Sequence, residues 1–246
     1  MKQFGLIGFP LGHSFSKKYF TEKFEREGID SRYDLFELEN ISEFTALKEN
    51  PNLCGLNVTI PYKEKVISYL DELDDTAAKI GAVNVIKFTH SNGKLILKGY
   101  NSDAIGFENS IKPLLQSFHK KALILGTGGA SKAINYSLRK LGIETLFVSR
   151  SAKPGFLTYN QLNEEILNDY LVIVNASPVG TFPHSDECPD IPYQFLTSKH
   201  LLFDVVYNPA ETLFLKKGKA HGVQGLNGES MLIGQAIAAW KIWNQE

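Results

Sequence analysis

The chain has 246 residues, 43 % of them hydrophobic and 22 % charged, with a formal net charge of −1; that is room for one large domain or two modest ones, and no electrostatic reason to expect nucleic acid or an anionic membrane as partner. No apolar run approaches the roughly 20 residues of a bilayer span, and the apolar stretch at the start is too short for a signal peptide. Its two cysteines, Cys54 and Cys188, make neither a disulfide framework nor a metal site, which fits packing roles and a reducing, cytoplasmic setting.

Phe4–Phe9 predicts a strand ending in Pro10 and Gly12, followed by a helix over Lys17–Glu27 that Gly28 closes. Tyr33–Glu37 predicts a second strand, Ile41–Glu49 a short amphipathic helix, Leu53–Ile60 a strand stopped by Pro61, and Lys63–Leu70 a helix. Ala82–Phe88 and Leu95–Gly99 read as a hairpin across His90-Ser91-Asn92-Gly93, whose Asn-Gly is a strong turn signal. Ala104–Phe118 reads as a connecting helix. Then come strand Ala122–Leu125, helix Ala130–Leu141, strand Thr145–Ser149, and two strand-like runs, Leu171–Asn175 and Leu201–Val205. Continuous apolar runs between helices indicate a parallel sheet covered on both faces. Ser177–Pro192 reads as loop and Ser230–Trp243 as an amphipathic helix, with Trp240 and Trp243 in packing roles.

Leu125-Gly126-Thr127-Gly128-Gly129-Ala130-Ser131 joins a predicted strand to a predicted helix. In that context glycines mark a pyrophosphate site: Gly126 for the tight turn, Gly128 for close backbone approach, and small residues after it for helix–strand packing. The free N–H groups of the helix start face the anion. At the tip of the next strand, Val148-Ser149-Arg150-Ser151 offers no carboxylate for a ribose hydroxyl. Arg150 offers a charged fork suited to a 2′-phosphate, with Ser149, Ser151 and Lys153 beside it, so NADP is favoured over NAD. A solvated surface arginine is the plainer alternative.

Four polar clusters precede the glycine turn. Ser14 and Ser16 lie two apart after the first strand, so in extended chain both would face one carboxylate or polyol; Ser16 is equally a helix N-cap. Asn57 and Thr59 would share a strand face ahead of Pro61 and Lys63. Lys63 fits a general acid/base, while from spacing alone it reads as a solvated lysine opening a helix. Gly81-Ala82-Val83-Asn84 and Gly99-Tyr100-Asn101-Ser102-Asp103 complete the set, with Asp103 either a helix N-cap or the partner of a lysine in proton transfer. The six histidines, His13 in the first loop among them, show no metal-ligand spacing, and no metal is expected.

Taken in order, Ser-x-Ser, Asn-Val-Thr-x-Pro-x-Lys, Gly-Ala-Val-Asn, Gly-x-Asn-Ser-Asp and Gly-x-Gly-Gly-Ala-Ser closely resemble the shikimate dehydrogenase family. The likeness continues through Asn175–Gly180, Asp204-Val205-Val206-Tyr207 and Gly228–Ala236, spanning essentially the whole chain. It implies NADP-linked reversible reduction of 3-dehydroshikimate to shikimate. Lys63 and Asp103 would be the catalytic pair, Ser14 and Ser16 would bind the substrate carboxylate, and Thr59, Asn84 and Gln235 the ring hydroxyls, with Tyr207 and Ser102 nearby. Gly126, Thr127, Gly128, Gly129, Ala130, Ser149, Arg150 and Ser151, with Val205 and Gly228, would hold the cofactor.

The fold implied is α/β with two domains. An N-terminal α/β substrate domain (residues 1–103 with 228–246) would be followed by a Rossmann-type, doubly wound NADP-binding domain (104–227), with the C-terminal helix packing back on the first. The expected partner is the small-molecule substrate, in a cytoplasmic monomer or homodimer. The chain departs from the family's habit at Lys17, where Pro usually follows Ser-x-Ser, and at Tyr100, Ala104 and the Ser149-Arg150-Ser151 tip. The competing readings are a quinate/shikimate dehydrogenase with relaxed substrate or cofactor use, and a non-catalytic NADP-sensing module.

Overall fold

A computed structural model describes residues 1–12, 14–91 and 93–245. The chain divides into two compact units, Met1–Ser102 with Ala236–Glu246, and Asp103–Gln235.

In the first unit β1 (Lys2–Gly8) leads to α1 (Phe15–Glu27) and β2 (Ser31–Glu37). Ser14 caps α1 by accepting from the Lys17 amide at 3.3 Å, and Gly28, at φ 63°, ends it in a left-handed conformation. After α2 (Phe44–Leu47) come β3 (Leu53–Val58), β4 (Glu72–Leu73), α3 (Asp75–Ile80) and the hairpin strands β5 (Val85–Ser91) and β6 (Lys94–Tyr100). The sheet order is β2-β1-β3-β5-β6-β4. β1 lies parallel to both β2 and β3, with Leu6 between Leu35 and Asn57, whereas β5 runs antiparallel to β3.

Several predicted helices are shorter than their apolar patterns. The 41–49 segment is a 3₁₀ turn, Ile41–Glu43, started by a reciprocal Asn40–Glu43 capping box, and then the single turn of α2. The 63–70 segment is a 3₁₀ turn, Lys65–Tyr69, because Leu70 is already extended to feed β4. β3 ends at Val58, since the Tyr62 amide bonds the Thr59 carbonyl at 2.9 Å and folds the chain into a turn. The hairpin pairs from Val85↔Tyr100 to Ser91↔Lys94. Asn92 of the turn signal, like His13, lies outside the described residues.

The second unit starts at Asp103, inside α4 (Ser102–Ile111), which stops short of residue 118. Pro113 has no N–H to extend it and sits in a 3₁₀ turn, Lys112–Leu114. Then follow β7 (Lys121–Leu125), α5 (Gly129–Lys140), β8 (Glu144–Ser149), β9 (Leu157–Thr158), α6 (Glu164–Asp169), β10 (Val172–Asn175), β11 (Leu201–Asp204), α7 (Leu213–Ala220) and β12 (Gln224–Leu226); the last helix, α8 (Glu229–Asn244), belongs to this unit up to Gln235 and to the first from Ala236. The strand order is β12-β11-β10-β7-β8-β9, every pairing parallel. Strands after β7 step outward one way to β9, and from β10 the other way to β12. That is the doubly wound arrangement of a Rossmann-type domain. Successive side chains bury on opposite faces: Ala122, Ile124, Val172, Val174 and Phe203 with Ile134 and Leu138, and Leu123, Leu125, Ile173 and Leu202 with Leu167 and Phe214. The uninterrupted apolar strands follow from this two-sided cover.

The C-terminal helix packs back on the first unit as expected. Ala236, Ala239, Ile242 and Trp243 join Phe4, Phe20 and Phe24 in its core. Trp243 donates its indole N–H to the Ile86 carbonyl at 3.1 Å. Gly55 leaves room for that ring, because a Cβ there would overlap the indole.

Candidate active site

Parallel pairing brings the ends of β1 and β3 to one edge of the first sheet, and antiparallel pairing brings the start of β5 and the end of β6 to the same edge. All four polar clusters are therefore neighbours in space. The Phe9 amide bonds the Ile60 carbonyl at 3.0 Å and the Thr59 amide the Ile7 carbonyl at 2.9 Å, tying the loops after β1 and β3 together. The Lys63 carbonyl accepts from the Val83 amide at 2.7 Å, which seats half-buried Lys63 against the Gly81–Asn84 loop.

Behind this edge runs a buried polar chain. The Tyr33 hydroxyl donates to Asn57 Oδ1 at 2.8 Å, and Asn57 Nδ2 donates to the Asn84 carbonyl at 3.3 Å. The Asn84 side chain accepts from the Ser102 amide at 2.6 Å and donates to Ser102 Oγ at 3.0 Å. Asn101 Nδ2 donates to the Ala82 carbonyl at 2.9 Å. Burial pushes the Tyr33 phenol well above its usual pKa, against a smaller opposite pull from the Ser16 hydroxyl.

Three local expectations are corrected. Ser14, not Ser16, is the N-cap, and Ser16 lies inside α1, so the two serines are not on one extended run. Thr59 has left the strand that holds Asn57, because β3 stops at Val58. Asp103 sits within the first turn of α4 rather than capping it, and is buried.

In the second unit the strand order reverses between β7 and β10, where nucleotides bind in doubly wound sheets. Gly126 has φ +107° and donates its N–H to the Val148 carbonyl at 2.9 Å. That positive φ strains any residue with a Cβ, and a Cβ there would also stand a tight 3.2 Å from the Ser177 Cβ. Gly128 precedes α5 without any side-chain cap on the helix N–H groups, and a Cβ at Gly128 would meet open space. An uncapped twelve-residue helix facing an open glycine fits a pyrophosphate. At the end of β8, Ser149 is buried and accepts from the Ser151 amide at 3.3 Å, while Arg150 is exposed. Arg150 is near enough to offset part of the burial-driven rise of the Tyr159 phenol pKa. This donor set suits the 2′-phosphate of NADP. Gly228 packs its backbone directly on Val205 and donates to the Val206 carbonyl at 3.1 Å.

Spacing gave no role to the carboxylate beside this site. Asp204, fully buried at the end of β11, accepts from Thr212 Oγ1 at 2.6 Å, Asn175 Nδ2 at 2.9 Å and the Val206 amide at 3.1 Å. Asn175 Oδ1 in turn accepts from Ser177 Oγ at 2.6 Å. Burial raises Asp204 to about 6, against the pull of its three donors. The network fixes the loops after β10 and β11, and the only signal for it was an Asp and an Asn at strand ends. Of the remaining expected site residues, Tyr207 is 42 % exposed, and Gln235, on α8, is buried. Among the described residues no group of three or more His, Cys, Asp or Glu is placed to hold a metal ion, and no helix is long and apolar enough to cross a membrane.

Residues 6–86 match the family model described as the shikimate dehydrogenase substrate binding domain. The chain is 38 % identical over 258 residues to the NADP(+) shikimate dehydrogenase of Methanosphaera stadtmanae, covering 97 % of this chain and 90 % of that protein. It superimposes on the crystal structure of shikimate dehydrogenase from Aquifex aeolicus with a TM-score of 0.85 at 37 % identity, covering 99 % of this chain and 92 % of the other. The Thermus thermophilus shikimate 5-dehydrogenase, solved in complex with NADP(H) and shikimate, gives 0.85 at 29 % identity, covering 99 % and 94 %. The chain belongs to the shikimate dehydrogenase family.

Proposed function

We propose that this chain is an NADP-dependent oxidoreductase acting on a CH–OH group: it reversibly reduces 3-dehydroshikimate to shikimate, a step toward chorismate and the aromatic amino acids. The observation that carries this reading is the convergence of four polar clusters at one edge of the first sheet, in a chain whose relatives are named NADP(+) shikimate dehydrogenases over nearly their full length. The substrate is a small polyhydroxy carboxylate, and that edge offers hydroxyls, amides and one lysine.

In this reading residues 1–103 with 228–246 carry the substrate and 104–227 the cofactor. The bound nicotinamide supplies or accepts the hydride. Lys63 donates the proton to the C3 oxygen during reduction and takes it back during oxidation; its ammonium also polarises the carbonyl. Asp103 orients Lys63 and binds the same oxygen. Ser14 and Ser16 hold the carboxylate, and Thr59, Asn84 and Gln235 the ring hydroxyls, with Ser102 and Tyr207 beside them. Gly126–Ala130 and Gly228 hold the pyrophosphate and nicotinamide side with Val205, and Ser149, Arg150 and Ser151 hold the 2′-phosphate. A cytoplasmic monomer or homodimer belongs to the same reading. The test is NADPH formation from shikimate and NADP⁺ by the purified chain, followed at the reduced-nicotinamide absorbance band. A protein that binds NADP⁺ but turns over no shikimate at alkaline pH would be the sensing module instead.

A further inference from the structure

Asp204 and Asn175 are register partners at the carboxyl ends of β11 and β10, and both are completely buried. The carboxylate only accepts, so its donors all point inward. Asn175 Nδ2 and the Val206 amide reach Oδ1 at 2.9 and 3.1 Å, and Thr212 Oγ1 reaches Oδ2 at 2.6 Å. The Asn175 amide is equally committed: Nδ2 also donates to the Val179 carbonyl at 3.2 Å, and Oδ1 accepts from the Ser177 amide at 3.1 Å and from Ser177 Oγ at 2.6 Å. One carboxylate–amide pair thus ties down the backbone at Ser177 and Val179 after β10 and at Val206 after β11. The first of these loops abuts the glycine turn, where the Ala176 amide donates to the Leu125 carbonyl at 2.9 Å. The second begins at Val205, on which Gly228 packs. A doubly wound sheet takes a dinucleotide across its reversal point, one mononucleotide to each half. The turn after β7 and the tip of β8 suit the adenosine half, which leaves the ends of β10 and β11 to the nicotinamide half.

We infer that Asp204 is a positioning residue for the nicotinamide half of the cofactor: through Asn175 and the Val206 amide it holds together the two loops against which that half lies. It touches neither cofactor nor substrate and acts through the backbone it fixes. The inference rests on the proposed function.

Asp204→Ala leaves the Val206 amide, one Asn175 hydrogen and the Thr212 hydroxyl without their acceptor. Asp204→Asn preserves the geometry: its Oδ1 accepts from Asn175 and Val206, and its Nδ2 donates to Thr212 Oγ1, whose own proton rotates away. Adenosine 2′,5′-bisphosphate lacks the nicotinamide half, so its binding, followed by titration calorimetry, reports the adenosine half alone and counts the folded sites. We expect Asp204→Ala to lower kcat for shikimate oxidation, per bisphosphate site, about 10-fold or more, because hydride transfer is sensitive to small displacements of the nicotinamide. The Kd for the bisphosphate should stay within about 2-fold of the parent's, and Asp204→Asn should restore kcat to within about 3-fold. If Asp204→Ala yields no folded sites, Thr212→Val, which deletes one donor at similar volume, carries the same comparison with a loss of about 3-fold. A merely structural role would lower the number of sites and leave kcat per site at the parent's. That result, a bisphosphate Kd that rises in step with the loss of kcat, or an Asp204→Asn variant as impaired as Asp204→Ala overturns the inference. A parent that binds the bisphosphate but is inert toward shikimate overturns the functional reading, and the inference falls with it; an active parent beside an Asp204→Ala variant of unaltered kcat overturns the inference alone.

Discussion

Asn84 and Ser102 hold each other: the Ser102 amide donates to Asn84 Oδ1 at 2.6 Å while Asn84 Nδ2 donates to Ser102 Oγ at 3.0 Å. Both residues are buried, Ser102 completely. This contact ties Ser102, just after β6, to Asn84, just before β5, within the first unit. Asn84→Ala leaves the buried Ser102 amide without that acceptor, which costs about 1–3 kcal/mol of stability. The melting temperature should fall and the shikimate KM should rise together. A variant with normal melting and normal KM would show that the contact matters to neither.

Lys63 is placed by its backbone, through the Val83 amide, rather than by an ordinary surface helix. If its ammonium transfers the proton at the C3 oxygen, Lys63→Ala should lower kcat by about 10²-fold or more. NADP⁺ affinity, measured by quenching of protein fluorescence, should stay at the parent's value. A kcat equal to the parent's would remove Lys63 from the chemistry.

Arg150 is exposed at the tip of β8, beside buried Ser149. A charge-assisted fork on a 2′-phosphate makes Arg150→Ala weaken NADP⁺ by about 10- to 100-fold while NAD⁺ is little affected. Initial rates with both cofactors give the ratio. Equal losses would mean that the guanidinium does not reach that phosphate.

Asp204 titrates near 6 in the folded chain, against 3.8 for the ordinary carboxyl. A raised carboxyl pKa means that the folded state binds the proton more tightly than the unfolded state. Stability from this group is therefore greatest below pH 4 and declines as pH rises to about 6, by about 3 kcal/mol at most. Asp204→Asn removes that decline. Chemical denaturation of both proteins from pH 4 to pH 7 should show the parent losing ground against the variant as pH rises. A difference that is constant, or that shrinks as pH rises, contradicts the assignment.

The central strands of the second sheet were legible because two-sided burial writes uninterrupted apolar runs such as Ala122–Leu125 and Leu171–Asn175. The glycine turn was legible because positive φ at Gly126 leaves few other residues. The short helices α3, α6 and α7 escaped notice. They run six, six and eight residues, too few for a 3.6-residue period to declare itself, and their caps Asp74, Asn163 and Thr212 were the only marks. The clusters carrying Ser14, Lys63, Asn84 and Ser102 were visible one by one. Their common edge was not, because it depends on which strands run parallel. Tyr33 and Asn57 meet only through the β2-β1-β3 order, and Asp204 meets Asn175 only through β10–β11 pairing. No local spacing encodes either meeting.

The proposed enzyme oxidises shikimate with NADP⁺. Initial rates for shikimate and quinate, each with NADP⁺ and NAD⁺, test it most directly. Shikimate with NADP⁺ should be the pair with the highest kcat/KM. No reduced cofactor from shikimate at alkaline pH, where oxidation is favoured, would contradict it.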